Sequence, residues 1–308
     1  MTSVTDEQLL EHAERIRGKV LLITGGASGI GRAAALLYAK HGASVVIGDV
    51  DADAASKVVS EIVQAGGQAV SCKCDVTVWD EQVALFELAV KTYGTVDVVI
   101  PNAGIASAPP PSYPLQLVDG MPVRPSQKLF AINIAAVLDT CTLAFHYISA
   151  GNHAQPDPER LKAIVLVGSM ASFHSLDIAP QYSASKFAIL GLMGGLRSIC
   201  DVRDIRVGSV HPWFVKTQMT EGGMSQIVEA ANLPYTPIER VAATMLRAAT
   251  DPDKSTSGQP WTLPDGGAVT RLEKPILSDG VYSALNARTR DAVRASERAF
   301  LGQVKAKV

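Results

Sequence analysis

Eight residues near the start of the chain limit what it can fold into more than any other stretch. Thr24-Gly25-Gly26-Ala27-Ser28-Gly29-Ile30-Gly31 follows the apolar run Lys19–Thr24 and opens the alanine-rich, helix-patterned segment Ile30–His41. Gly25 allows a tight turn, Gly29 lets the backbone approach a pyrophosphate, and Gly31 lets helix and strand pack closely. The helix start offers free N–H groups and a positive dipole end to the phosphates, with Ser28 and Ile30 beside them. Glycine clusters serve many turns, but one lying between a strand and a helix at the head of an alternating chain points to a dinucleotide site.

The alternation continues. Ser44–Asp49, Gln68–Cys74, Val96–Ile100, Ala163–Gly168, Arg206–Val210 and Gln259–Leu263 read as further strands, and Ala52–Ala65 and Glu81–Tyr93 as helices. Strands rich in Val, Ile and Leu on both faces, separated by helices, imply a parallel sheet covered on both sides. The expected fold is α/β: one doubly wound domain over residues 18–270, with about seven strands and helices on both faces. Residues 1–17 read as a helical extension and 271–308 as a helical tail, in which Val281–Val308 carries six basic and two acidic residues. The proline-rich stretch Ala106–Pro125 reads as a loop and Gly151–Pro158 as a polar excursion. Trp213–Pro237 is too apolar for disorder and reads as a lid over the substrate.

Composition narrows the function classes. With 28 basic and 30 acidic residues, a net charge of −2 and 47% hydrophobic residues, the chain is globular and has no electrostatic footprint for nucleic acid or an anionic membrane. Residues 1–17 contain Glu7, Glu11 and Glu14 and no apolar core, which argues against a secretory signal. Leu129–Ile148 is apolar but carries Asn133, Asp139, Thr140, Thr142 and His146, and so reads as a buried or oligomer-facing helix rather than a membrane span. Cys72, Cys74, Cys141 and Cys200 form no CxxC pair and read as free thiols of a cytoplasmic protein. The histidines show no ligand spacing, so no metal is expected.

Asp49 ends the second strand, eighteen residues after Gly31. A carboxylate there accepts hydrogen bonds from the ribose hydroxyls of NAD and repels the 2′-phosphate of NADP. Its neighbours Gly48, Val50 and Ala27 supply no basic residue for that phosphate, so NAD is the expected cofactor.

With this loop in place, later residues resemble the short-chain dehydrogenase/reductase family from Lys19 to about Gly267. The motifs are the TGxxxGxG loop, Asp75-Val76 after the third strand, Asn102-Ala103-Gly104 after the fourth, then Asn133, Ser169, Tyr182-Ser-Ala-Ser-Lys186, and Pro212 with Thr217. Singly each is weak; together and in order they are specific. The resemblance implies a Rossmann-like fold, with Asp75 and Val76 against the adenine and Asn102, Ala103 and Gly104 beside the cofactor. It places Pro212, Val215 and Thr217 at the nicotinamide, and Asn133 as the positioner of a water that connects Lys186 to solvent. Two departures are Pro101, where the family often has asparagine, and Trp213, where it often has glycine.

Tyr182 and Lys186 are four apart and share one helix face. Hydride transfer from an alcohol carbon requires removal of the hydroxyl proton, and a free tyrosine, with a pKa of about 10, is too weak a base. A neighbouring ammonium and an oxidised nicotinamide favour the phenolate. Tyr182 is therefore the expected general base for oxidation and acid for reduction. Lys186 would lower its pKa and hold the nicotinamide ribose, and Ser169 would hold the substrate oxygen.

Phe173, His174, Trp213, Phe214, Met219 and Met224, with the Ile105–Tyr113 loop, would form an apolar, partly aromatic pocket. The expected substrate is a hydrophobic secondary alcohol or ketone of steroid-, prostanoid- or polyketide-like character. The family resemblance implies a homodimer or homotetramer built through the helices holding Asn133 and Tyr182. Two other readings stand beside this one: an NADPH-dependent ketoreductase, and a non-catalytic NAD-binding regulator or scaffold.

Overall fold

The computed structural model of the chain describes residues 1–106, 117–150, 160–177, 179–221, 223–264, 266–273 and 281–305. Its strands are β1 (Thr2–Val4), β2 (Val20–Thr24), β3 (Ser44–Asp49), β4 (Gln68–Lys73), β5 (Val98–Ile100), β6 (Leu117–Val118), β7 (Met121–Pro122), β8 (Ala163–Val167), β9 (Arg206–Pro212), β10 (Gln259–Leu263) and β11 (Val269–Arg271). The helices are α1 (Asp6–Leu9), α2 (Gly29–Lys40), α3 (Ala52–Gln64), α4 (Trp79–Tyr93), α5 (Lys128–Phe130), α6 (Ala136–Ala150), α7 (Pro180–Val202), α8 (Gly223–Ala230), α9 (Ile238–Thr250) and α10 (Val281–Lys305), with a π-helical turn at Ala131–Ala135 between α5 and α6.

The main sheet has nine strands in the order β1-β11-β10-β9-β8-β5-β2-β3-β4, parallel from β10 to β4. From β2 the chain winds outward through β3 and β4, then returns to the other side of β2 for β5 and β8. The crevice between β2 and β5 is thus a switch point, where ligands bind beyond the carboxyl ends of the strands. Side chains alternate between two cores, as the period of a strand requires. Leu21, Ile23, Val45 and Ile47 meet Ala35 and Tyr38 of α2 and the buried face of α9. Val20, Leu22, Val46 and Val99 meet Leu85 and Phe86 of α4, Cys141 of α6 and Ile189 of α7.

The expected seven strands become nine through β1 and β11, which add antiparallel at the sheet edge with Thr2 opposite Arg271 and Val4 opposite Val269. Residues 1–17, read as a surface helix, instead run as β1, the single turn α1 and a 3₁₀ turn at Ala13–Ile16. Leu9 and Ile16 are fully buried there, and burial of these two side chains outweighs the polarity of the segment. Within the proline-rich loop, β6 and β7 form a hairpin whose turn, Asp119-Gly120, has both φ values positive, at 50° and 77°. The excursion Gly151–Pro158 lies outside the described residues.

Lys128–Ile148 has the length and hydropathy of a membrane span, yet Val137, Cys141, Ala144 and Ile148 are buried in the second core. The Thr140 hydroxyl donates to Gln82 Oε1 at 2.6 Å, and Gln82 Nε2 donates to the Val76 carbonyl at 2.6 Å. Thr140 and, before it, Asn133 therefore meet partners inside the protein, while Thr142 and His146 lie on the exposed face.

Candidate active site

A cavity of about 640 Å³ opens along the carboxyl ends of β2, β3, β5, β8 and β9. Its far end is the glycine loop. Gly25 and Gly29 have φ of 66° and 51°, a region that disfavours side chains. A Cβ on Gly31 would lie 2.0 Å from the Gly25 carbonyl oxygen, and one on Gly25 would lie 2.8 Å from Ala103 Cα. These glycines are required by close packing. Ser28 caps α2 with extended backbone and no side-chain hydrogen bond, leaving the first N–H groups of a twelve-residue helix directed into the cavity.

Neighbouring strands are stitched together behind this loop. Asn102 Nδ2 donates to the Thr24 and Gly25 carbonyls at 3.0 and 2.9 Å, and the Asn102 and Ala103 N–H groups donate to Thr24 Oγ1 at 3.1 and 3.2 Å. Thr24, the first residue of the TGxxxGxG motif, is thus the joint between β2 and β5. Asp49 is held at the wall, its Oδ2 accepting from Ala27 N at 2.9 Å and its Oδ1 from Asp51 N at 3.1 Å. Thr77 donates to Asp75 through its N–H and its hydroxyl. These bonds hold the Asp75 carboxyl below the usual range. Arg32, which directly follows the glycine loop, is paired with Glu61 at 2.5 Å and does not line the cavity.

At the other end Ser169, Tyr182 and Lys186 converge. Ser169 follows β8 and caps a 3₁₀ turn, its Oγ accepting from Ala171 N at 3.1 Å. Its hydroxyl hydrogen is then available to an oxygen in the cavity. Pro180 starts α7 at a position where a missing N–H costs nothing, and the helix presents Tyr182 and Lys186 on one face. Lys186 Nζ donates to the Val167 carbonyl at 3.0 Å and lies 5.5 Å from the Tyr182 ring centre. Burial pushes the Lys186 ammonium down to about 8. Burial also pushes the Tyr182 phenol up, and a hydrogen bond with Ser169 opposes that rise. In the protein without cofactor, desolvation dominates and the opposing influence comes from Ser169; the expected lowering by Lys186 belongs to the state with oxidised nicotinamide bound.

Every residue expected to bind cofactor lines this cavity, as do His174, Trp213, Phe214 and Met219. Two expected site residues do not. Asn133 is buried in the π-helical turn and clamps Ile105, accepting from its N–H at 2.9 Å and donating to its carbonyl at 2.9 Å. It also donates to Ser185 Oγ at 3.1 Å. Asn133 thus fixes the wall from behind, and π turns recur at such sites because they re-aim a side chain. Phe173 turns away to pack edge-on against His211, ring centres 4.8 Å apart. Of the Ile105–Tyr113 loop, Ile105 and Ala106 line the cavity and residues 107–113 lie outside the described residues, as does the Met224 side chain. The Thr217 methyl would be 3.3 Å from a Cβ on Gly29, so the segment after β9 reaches back to the glycine loop.

His211 was not legible as a site residue. It is buried at the end of β9, its Nδ1 3.1 Å from the Ser169 carbonyl and its Nε2 2.7 Å from Ser209 Oγ. A carbonyl only accepts, so Nδ1 carries the hydrogen and Nε2 accepts from Ser209. Burial holds the imidazole neutral, pushed down to about 3. The available signal was the pair Ser209 and His211 in a strand otherwise expected to be apolar. Among the described residues no group of three or more His, Cys, Asp or Glu could hold a metal.

A glycine loop opening a helix, a carboxylate on the wall and a Ser-Tyr-Lys cluster along one cavity are the parts of a dinucleotide-dependent oxidoreductase site. A model of the short chain dehydrogenase family matches residues 19–227, and the chain belongs to that family. It is 31% identical over 261 residues to the 7alpha-hydroxysteroid dehydrogenase of Escherichia coli strain K12, covering 82% of this chain and 95% of that protein. It is 30% identical over 234 residues to the cyclohexanol dehydrogenase of Acinetobacter sp. strain SE19, covering 74% and 84%. Among solved structures, a short-chain type dehydrogenase/reductase from Mycobacterium marinum superimposes with a TM-score of 0.71 at 26% identity, over 84% of this chain and 98% of that one.

Proposed function

We propose that the protein is an NAD-dependent dehydrogenase of hydrophobic secondary alcohols, with Tyr182 as the group that exchanges the hydroxyl proton. The observation that carries this is the continuity of one cavity from the glycine loop and Asp49 to Ser169, Tyr182 and Lys186. Gly25, Gly29 and the start of α2 would hold the pyrophosphate. Asp49 would hold the adenine ribose and Lys186 the nicotinamide ribose. When bound, the nicotinamide supplies the hydride acceptor and a positive charge. Tyr182 takes the alcohol proton at its phenol oxygen, and Ser169 holds the same substrate oxygen in reach. Trp213, Phe214 and Met219 exclude water and select apolar rings.

The choice of NAD rests on Asp49 at the wall and on Arg32 being held by Glu61. The choice of an apolar alcohol rests on the aromatic lining and on the two named relatives, which are dehydrogenases of a hydroxysteroid and of cyclohexanol. Leu138 of α6 and Phe187 of α7 are large apolar side chains left exposed, and this exposure supports a homodimer or homotetramer that would bury them. Asn133 acts through Ile105 as a positioning residue.

The deciding experiment is fluorescence titration of NADH and NADPH, followed by oxidation of cyclohexanol and of a hydroxysteroid with NAD. Tight NADH binding, weak NADPH binding and turnover of an apolar alcohol are expected. Preference for NADPH would replace this reading with the ketoreductase, and oxidation of small sugars alone would overturn the substrate class. Binding of neither nucleotide would overturn the whole reading.

A further inference from the structure

A second cavity, of about 650 Å³, lies at the opposite end of the sheet, where β8, β9 and β10 begin. We propose that it binds a small multivalent oxyanion, of the polyphosphate or polycarboxylate class. The strands separating it from the first cavity are five to seven residues long, or roughly 20 Å, so the two cavities do not share walls.

The argument is one of uncompensated charge. Asp201 is paired with Arg294 at 2.9 Å and Asp204 with Lys254 at 2.9 Å. Asp251 turns toward Arg247 and Arg271, at 3.5 and 3.8 Å, neither of which lines the cavity. Arg160 is paired with Asp97 at 2.8 Å. Four lining cations have no carboxylate partner among the described residues: Arg15, Lys162, Arg206 and Arg298.

Backbone geometry holds these cations together. Arg206 N donates to the Lys162 carbonyl at 2.8 Å, which brings the residue before β8 beside the first residue of β9 at the cavity's edge. Arg206 Nε donates to the Ala248 carbonyl at 2.7 Å and Arg15 to the Thr250 carbonyl at 2.5 Å. Both guanidiniums are fixed by neutral carbonyls and keep further N–H groups for a ligand. Burial pushes Arg206 down to about 10; Asp251 and Asp253 oppose the fall, and Arg15 and Arg247 add to it.

The fourth cation comes from the tail. Helix α10 is tied to the body by Glu297 with Arg203 at 2.5 Å and by Arg294 with Asp201. Arg298, one turn beyond Arg294, then reaches the rim. A function for the basic tail follows: it closes one side of an anion site.

The test is calorimetric titration of the full chain with inorganic pyrophosphate and with citrate, each with and without saturating NADH. Binding of one or both with a single site, unchanged by NADH, is expected. Lys162→Glu and Arg298→Glu should each weaken it about tenfold, and Lys57→Glu, on the remote helix α3, should leave it unchanged. Arg298 is exposed, so its variant folds even if the Lys162 variant does not. No binding, binding displaced by NADH, or equal binding in all variants would overturn the proposal. So would binding of an acidic poly-glutamate peptide alone, which would make the groove a protein-docking surface. NADH titration of the same variants reports on the first cavity separately.

Discussion

Lys186 donates its ammonium hydrogen bond to the Val167 carbonyl at 3.0 Å while standing 5.5 Å from the centre of the Tyr182 ring. The lysine is fixed to the end of β8 and acts on the tyrosine through space. Burial drives the ammonium down to about 8 and the phenol up, so both charged forms are costly until an opposite or compensating charge enters the cavity.

Replacement of Lys186 by methionine should therefore stabilise the cofactor-free protein. A base whose pKa is lowered on folding binds fewer protons in the native state than in the unfolded one, between about 8 and 10.5. Native stability consequently rises with pH across that window, and the full penalty is present below it. Urea denaturation at pH 7 should show Lys186→Met more stable by about 1–3 kcal/mol, with the gap closing above pH 10. The same variant should lose activity.

Tyr182→Phe removes the proton-exchanging oxygen and little volume. We expect kcat to fall by about 10²- to 10⁴-fold with the dissociation constant for NADH unchanged within a factor of about two. Steady-state rates and fluorescence titration on one preparation check this; normal turnover would dismiss Tyr182 as the acid–base group.

Asp49→Ser removes the carboxylate held by Ala27 N and Asp51 N. The ratio of NADPH to NADH affinity should rise by about ten- to a hundredfold, chiefly through weaker NADH binding, because among the described residues no Lys or Arg neighbouring Asp49 in sequence lines the cavity to hold a 2′-phosphate. An unchanged ratio would mean that Asp49 does not meet the ribose.

His211→Ala removes one hydrogen bond each from the Ser169 carbonyl and the Ser209 hydroxyl and leaves a void under Phe173. It should cost about 1–3 kcal/mol at pH 7 and lower kcat more than it weakens NADH binding. The folded pKa lies at about 3, below the ordinary 6.5, so the unfolded chain binds the extra proton and wild-type stability falls as pH drops through that interval. The difference between wild type and variant should therefore narrow from pH 7 to pH 4. Denaturation curves at the two values decide it.

Local sequence carried much of this molecule because its signals are short-range. The glycine loop was legible because positive φ and a 2.0 Å approach at Gly31 admit nothing larger, and the inner strands because burial on both faces demands an unbroken apolar run. Tyr182 and Lys186 were legible because helical spacing alone puts them on one face.

What only the tertiary structure decided involves partners distant along the chain or a balance between burial and charge. Strand β1 exists because Thr2 meets Arg271, and nothing near Thr2 specifies that edge. Asn133 and His211 became supports rather than lining because Ile105 and Ser169 were brought to them. The Tyr182 pKa is pushed upward because desolvation, a property of the assembled fold, outweighs the hydrogen bond with Ser169, a residue thirteen positions away in sequence.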